Sequence, residues 1–179
     1  MCSSDLKAVK ALGGVDILIN CAGGAYRGRL EQIPDAAWER YFAVKPLGLI
    51  RMTREALPHL KKSPQGRVIN ISGTRGREPG GPSVMSGPIN LGTLSITKAL
   101  ANEFGPYGIT VNAICPGFFP SKMTKATLDA TGETMRELTP TRRLGNDEDL
   151  QGLAVLLASE ASRHITGQAI AVDGGATLI

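Results

Sequence analysis

The sequence predicts an α/β protein on a parallel, doubly wound sheet, and three observations carry that expectation. Short runs rich in β-branched residues stand at 15–20 (VDILIN), 67–72 (RVINIS) and 109–115 (ITVNAIC). Between them lie stretches with apolar residues three or four apart, long enough for helices of roughly 10–20 residues. Each run also ends in small or turn-forming residues, at 21–24, 73–82 and 116–117. Such a sheet places its ligand-binding loops at those carboxyl ends.

The elements follow in order. Residues 6–12 supply only a short helical tail before the first strand, 15–20, which reads as buried. A helix starts near Pro34 and Asp35, since proline suits a first turn. It carries Trp38, Phe42, Lys45, Leu49, Met52, Ala56 and Leu60 on one inward stripe. The strand 67–72 runs into a loop with four glycines at 73–82, and a helix spans 86–104. The strand 109–115 is stopped by Pro116 and Gly117. Asn146 reads as a helix N-cap, and Asp147, Glu148 and Asp149 suit the first turn that follows. That helix carries Leu150, Leu153, Leu156 and Leu157, and a last strand at 169–172 ends on residues 173–175.

Composition narrows the function classes. The chain has 179 residues, 42% hydrophobic and 20% charged, which fits a single soluble domain over 1–179. No apolar run nears the ~20 residues of a membrane helix. The polar N-terminus lacks a signal-peptide core, so the cytoplasm is the expected location. Three cysteines (Cys2, Cys21, Cys115) without Cys-x-x-Cys spacing, and two histidines (His59, His164), predict neither a disulfide framework nor a metal site. Cys21 and Cys115 read as small buried residues rather than nucleophiles. The net charge of +4 is scattered, with small groups at Lys61–Lys62 and Arg142–Arg143, so a solvated surface is expected and not a nucleic-acid stripe.

The pattern begins abruptly. A parallel sheet is normally covered, yet the first strand here would be left as an unprotected edge. No G-x-G-x-x-G stands between a strand and a helix.

The turn Asn20-Cys21-Ala22-Gly23 resembles the Asn-Asn-Ala-Gly turn of the short-chain dehydrogenase/reductase family. The strand 68–72, the segment Val111-Asn112-Ala113-Ile114-Cys115-Pro116-Gly117 and the closing Ile165-Thr166-Gly167-Gln168 with Val172-Asp173-Gly174-Gly175 follow in family order. The resemblance covers 15–179; residues 116–124 and 143–175 look most like gluconate-dehydrogenase-type and 3-oxoacyl-reductase-type members. It implies a Rossmann-like sheet of order 3-2-1-4-5-6-7, of which this chain supplies strands four to seven and lacks the first three. Those would hold the glycine loop for the pyrophosphate and the residue choosing NAD or NADP. Met1-Cys2-Ser3-Ser4-Asp5-Leu6 can also be read as an in-frame translation of a common sequencing-adapter oligonucleotide. The expectation is therefore the C-terminal portion of a longer protein, with residues 1–6 foreign to it.

The family works with a Tyr, a Lys four residues later, a Ser thirteen before the Tyr, and an Asn on the preceding helix. The Tyr moves the proton and a nearby ammonium lowers its pKa; the Lys also holds the nicotinamide ribose. Alignment through Thr97-Lys98-Ala99-Leu100-Ala101 places Ser86 in the Tyr slot and Asn90 in the Lys slot, one helical turn apart. Gly73 falls in the Ser slot and Lys45 in the Asn slot, so all four are changed. Tyr26, Tyr41 and Tyr107 lie elsewhere, and a Ser hydroxyl is too weak an acid to replace a phenol.

Lys45 and Asn90 look like an exchange of the family's Asn and Lys. Either Lys45 packs its stem inward and sends the amine to solvent, or it returns an ammonium to the site, to hold ribose hydroxyls or act as the acid. Ser72 and Thr74 flank the vacant Ser slot and read as turn residues or substrate-oxygen donors. The resemblance also puts Asn20, Ala22 and Gly23 beside the adenosine ribose, and Pro116, Gly117 and Ser121 along the nicotinamide wall.

Three readings stay open at this stage. One is an NAD(P)-dependent oxidoreductase acting on a small carbonyl or alcohol with a non-standard acid. The second is a catalytically silent relative that binds nucleotide or another subunit, and the third an inactive fragment. The family implies a homo-oligomer, dimer or tetramer, through the helices at 34–61 and 86–104, and a mobile helical lid over 123–144.

Overall fold

Apolar runs bounded by Gly and Pro form the strands, and the helices between them carry the chain back across the sheet. The computed structural model describes residues 3–24, 26–80 and 83–177. Strands β1 (Ile17–Asn20), β2 (Arg67–Ile71), β3 (Thr110–Pro116) and β4 (Ala169–Val172) pair in parallel, in chain order. Asn20 stands opposite Asn70, and Asn70 opposite Ala113, so the carboxyl ends of β1 to β3 line up. The helices are α1 (Ser3–Leu12), α2 (Asp35–Val44), α3 (Pro46–Leu60), α4 (Ser86–Phe104), α5 (Lys125–Leu138) and α6 (Asp147–Ala158).

Successive strand residues point to opposite faces, and both faces of β2 and β3 are covered. On one side Ala56 and Leu60 of α3 and Ala101 and Phe104 of α4 enclose Val68 and Val111. On the other, Leu157 of α6 packs on Ile69 and Ile114, with Leu150, Leu153 and Ile170 around it. This double covering explains why β2 and β3 read as nearly continuous apolar runs.

Three expectations need correction. The helix predicted from Pro34 onward is two helices. Lys45 (φ −96°, ψ −73°) separates them and Pro46 opens α3, because proline lacks the N–H and its ring collides with the carbonyl four residues back. Lys45 thus stands at a junction, and Met52, 37% exposed, is off the inward stripe. Second, β1 is not buried: Ile17 and Ile19 are 39% and 50% exposed. Among the described residues no strand pairs with its outer edge, which is the unprotected edge the sequence predicts. Third, Cys21 is exposed, whereas Cys115 is buried as expected. β3 also lies one residue later than predicted.

The predicted cap of α6 is present. Asn146 Oδ1 accepts from the Asp149 N–H at 3.1 Å, and an Asp149 carboxylate oxygen accepts from the Asn146 N–H at 2.8 Å. No helix of the described residues is long and apolar enough to cross a membrane.

Candidate functional site

The site is assembled at the carboxyl ends of β1 to β3, where a buried polar chain fixes the scaffold. Asn20 Nδ2 donates to Asn70 Oδ1 at 2.9 Å and to Thr53 Oγ1 at 3.2 Å. Asn70 Nδ2 donates in turn to Thr97 Oγ1 at 2.9 Å. Two strands and two helices are thereby tied together by polar side chains that satisfy one another, Thr97 Oγ1 donating onward to the Thr93 carbonyl at 2.8 Å. The Asn20 side chain is occupied by the scaffold, and Cys21, Ala22 and Gly23 follow it as an exposed turn. Asn70 and Thr97 lie within segments matched to the family but carry no site role there; their signal is a polar residue in the middle of a buried strand or helix.

The break before Pro46 aims Lys45 into the molecule. Its ammonium donates to the Ser72 carbonyl at 2.9 Å and to Asn90 Oδ1 at 2.6 Å. The amine does not run out to solvent, so that reading of Lys45 is overturned. Burial pushes its pKa down from 10.5 to about 8, against a smaller opposing effect of Cys115 and Cys21. An ammonium has three donors, and these contacts use two. Gly23 is close: a Cβ there would lie 3.5 Å from Lys45 Cδ and 3.8 Å from its Nζ.

Gly73 adjoins the same pair. A Cβ on it would sit 3.2 Å from Asn90 Nδ2, and one on Gly76 would meet the Asn90 backbone at 2.8 Å. The loop after β2, turning at Thr74–Gly76, packs closely on α4: Gly76 leaves no room for a side chain, whereas one at Gly73 would press only on the movable Asn90 amide. Three of the four altered slots, at 45, 73 and 90, therefore meet in space. Ser72 Oγ donates to the Asn90 carbonyl at 3.0 Å, and Thr74 opens the turn, so both serve local structure.

Ser86, one turn before Asn90, has its own partner. Its Oγ donates to Ser83 Oγ at 2.9 Å, and Ser83 Oγ donates to the Tyr26 carbonyl at 2.9 Å. Sequence reading passed over Ser83, although its place three residues before Ser86 at the helix entry was the available sign. Ser83 and Ser86 line a cleft of about 160 Å³ with Arg27, Arg75 and Phe118 on one part and Met123, Leu128 and Met135 of the following segment on another. Neither arginine was singled out from the sequence.

Along the remaining wall Pro116 ends β3, and the Gly117 N–H donates to the Val172 carbonyl at 3.0 Å. A Cβ at Gly117 would overlap Asp173, 2.6 Å from its Cβ. Ser121 Oγ lies 2.8 Å from Thr124 Oγ1 and accepts from the Thr124 N–H; it organises the entry to α5. The region predicted as a lid contains that helix. No group of His, Cys, Asp or Glu among the described residues could hold a metal.

Comparisons with known proteins agree with this architecture. The family model described as enoyl-(acyl carrier protein) reductase matches residues 6–177. Nodulation protein G of a Rhizobium species is 35% identical over 175 residues, covering 97% of this chain and 71% of the relative. The 3-oxoacyl-(acyl-carrier-protein) reductase FabG of Staphylococcus epidermidis is 32% identical over 171 residues, covering 94% and 69%. Among solved structures, a gluconate 5-dehydrogenase from Burkholderia cenocepacia in complex with NADP and tartrate superposes with a TM-score of 0.94 at 26% identity, covering 99% of this chain and 70% of that one. YwfH, an NADPH-dependent reductase of bacilysin biosynthesis, gives 0.90 at 28% identity, covering 97% and 71%. With the sheet order, the turn after β1 and these matches in agreement, the chain belongs to the short-chain dehydrogenase/reductase family of oxidoreductases.

Proposed function

We propose that the chain is the C-terminal portion of an NAD- or NADP-dependent oxidoreductase that interconverts a small carbonyl and its alcohol, with Lys45 in the position of the family's ammonium. The observation that carries this is the 2.6 Å contact between Lys45 Nζ and Asn90 Oδ1. It returns a cation, from the neighbouring helix junction, to the slot where the family keeps its lysine. The unpaired outer edge of β1, and relatives of which this chain spans about 70%, support a larger sheet.

The residues present fit one half of a nicotinamide cofactor. The exposed turn at Cys21, Ala22 and Gly23 lies against Lys45, and the third Lys45 N–H and Asn90 Nδ2, which have no partner among the described residues, are donors suited to ribose hydroxyls. Pro116, Gly117 and Ser121 form the nicotinamide side. The pyrophosphate half has no glycine-rich turn among the described residues. When bound, such a cofactor gives or takes the hydride. Lys45, with a pKa of about 8, can hold or release a proton at Nζ in the working range, and Asn90 fixes its direction. Ser86, whose O–H is given to Ser83, keeps lone pairs that accept from the hydroxyl of the alcohol; it binds the substrate oxygen and supplies no proton of its own.

A form of the protein carrying the family's first three strands tests this by nicotinamide absorbance against a panel of ketones and alcohols. Lys45→Ala is expected to abolish turnover, and the reciprocal exchange Lys45→Asn with Asn90→Lys to recover part of it. Unchanged kinetics in Lys45→Ala would sink the assignment. The joint loss of Tyr, Ser and Lys from their slots favours a second reading, a silent nucleotide-binding or subunit-interacting relative, which predicts nucleotide binding without turnover in the same assay. The 179-residue chain alone is expected to show no dinucleotide affinity; micromolar binding would refute that. Self-association into a dimer or tetramer through α3 and α4, which expose Leu47 and Leu91, belongs to the same proposal.

A further inference from the structure

We infer that the substrate of this site carries an anionic group, carboxylate or phosphate, a few bonds from its reacting carbon, held between Arg75 and Arg27; this rests on the oxidoreductase reading for the reaction, though not for the binding. Both guanidiniums line the cleft that Ser86 also lines. Arg75 is half-buried, 6.0 Å from the Phe118 ring centroid, in the turn that begins just after Gly73. Arg27 faces it from the loop after β1, and its Nη2 donates to the Met123 carbonyl at 3.2 Å.

Neither arginine forms an ion pair among the described residues, and no Asp or Glu lines the cleft. Glu78, in the same loop as Arg75, is exposed and does not line the cleft; Glu31, Asp129 and Glu133 pair with Arg29, Lys125 and Arg136. Two positive charges, the half-buried Arg75 and the exposed Arg27, thus line one small space, and no Asp or Glu among the described residues lines it with them. Phe118, Met123, Leu128 and Met135 supply an apolar wall, and displacing water there strengthens a charge-assisted bond. The guanidinium fork matches carboxylate and phosphate oxygens alike. Size sets the rest: at about 160 Å³ the cleft lies below the ~300–1,000 Å³ of pockets that hold drug-sized ligands. An anionic head on the arginines and a reacting oxygen at Ser86 must then belong to one short molecule.

The test is equilibrium binding by calorimetry, with no nicotinamide present, so that it is independent of turnover. The probes are 4-oxopentanoate, its neutral methyl ester, and hydroxyacetone phosphate. At least one anion should bind roughly ten- to hundredfold more tightly than the ester, and which anion it is identifies the head group. Arg75→Met should remove that difference and Arg75→Lys retain part of it, with thermal melts confirming that both fold. Equal binding of acid and ester, no binding of either anion, or full anion binding by Arg75→Met would each overturn the inference. Anion binding that persists in a protein without turnover would leave this site standing while the oxidoreductase reading fell.

Discussion

The Lys45 ammonium donates to Asn90 Oδ1 across 2.6 Å, joining the α2–α3 junction to the second turn of α4. The contact depends on Pro46, which interrupts the helix and lets Lys45 leave the stripe, and on the absent side chain at Gly73, which leaves room for the Asn90 amide. An interior cation with two hydrogen bonds is tolerated but still desolvated, and its pKa falls accordingly.

That shift makes stability depend on pH in a defined direction. The folded Lys45 titrates at about 8 against the ordinary lysine value of 10.5, so between these values the unfolded chain binds the extra proton. Stability should therefore rise with pH across that window, with the cost of the buried charge full below about 8 and gone above 10.5. The size of the effect is about 3 kcal/mol. Cys115, whose pKa burial raises, works in the opposite sense at the alkaline end. Urea melts at several pH values, with Lys45→Met subtracted, isolate the lysine; parallel curves for the two proteins would contradict the assignment.

Gly73 and Gly76 should respond differently to enlargement. Gly73 has extended backbone, φ 166°, so space alone opposes a side chain, and the nearest atoms are the movable Asn90 amide. Gly73→Ser is expected to cost about 1 kcal/mol, and Gly76→Ala, which meets the Asn90 and Leu91 backbone, about 2–3 kcal/mol. Adding Asn90→Ala should relieve the first and not the second. Thermal melts of the singles and doubles decide it, and equal relief of both would show that the α4 backbone moves.

Much of this architecture is legible in the residues. The helix bounds at Ser86 and Phe104 and the strand Ala169–Val172 match the predictions because periodicity and flanking turn residues agree there. Lys45 with Asn90 was visible as an exchange only through the family's spacing. What the sequence concealed was geometric. Pro46 was absorbed into a continuous stripe, although a helix can restart at a proline as easily as bend. Arg27 and Arg75 lie 48 positions apart, in loops without periodicity, and only the closure of the β1 and β2 ends brings them to one cleft. Cys21 was misplaced because a turn that follows a strand inherits none of its burial.

The cap of α6 offers a local test. Asn146→Ala removes the acceptor for the Asp149 N–H while keeping the backbone N–H that donates to the Asp149 carboxylate, and should cost about 1 kcal/mol. Asn146→Asp should retain most of it. Asp149 itself titrates near 2, held down first by Arg143 and then by the Asn146 N–H. Its contribution is thus present above the ordinary carboxylate range and fades as pH falls toward 2. A chemical denaturation series that found Ala and Asp equivalent at position 146 would exclude the capping role.

The outer edge of β1 should govern how the 179-residue chain behaves in solution. Its backbone groups on that side have no strand partner among the described residues, and Ile17 and Ile19 expose apolar surface on the adjoining face. Such an edge templates pairing with other chains, so concentration-dependent self-association is expected between roughly micromolar and millimolar concentrations. Ile19→Lys places a charge on the face that association would bury. It should shift sedimentation velocity profiles toward monomer without lowering the melting temperature, because Ile19 is already half exposed. A wild-type chain that stays monomeric at such concentrations would mean that the edge is shielded. Association unchanged by Ile19→Lys would move the contact elsewhere, to the exposed Leu47 and Leu91 on α3 and α4.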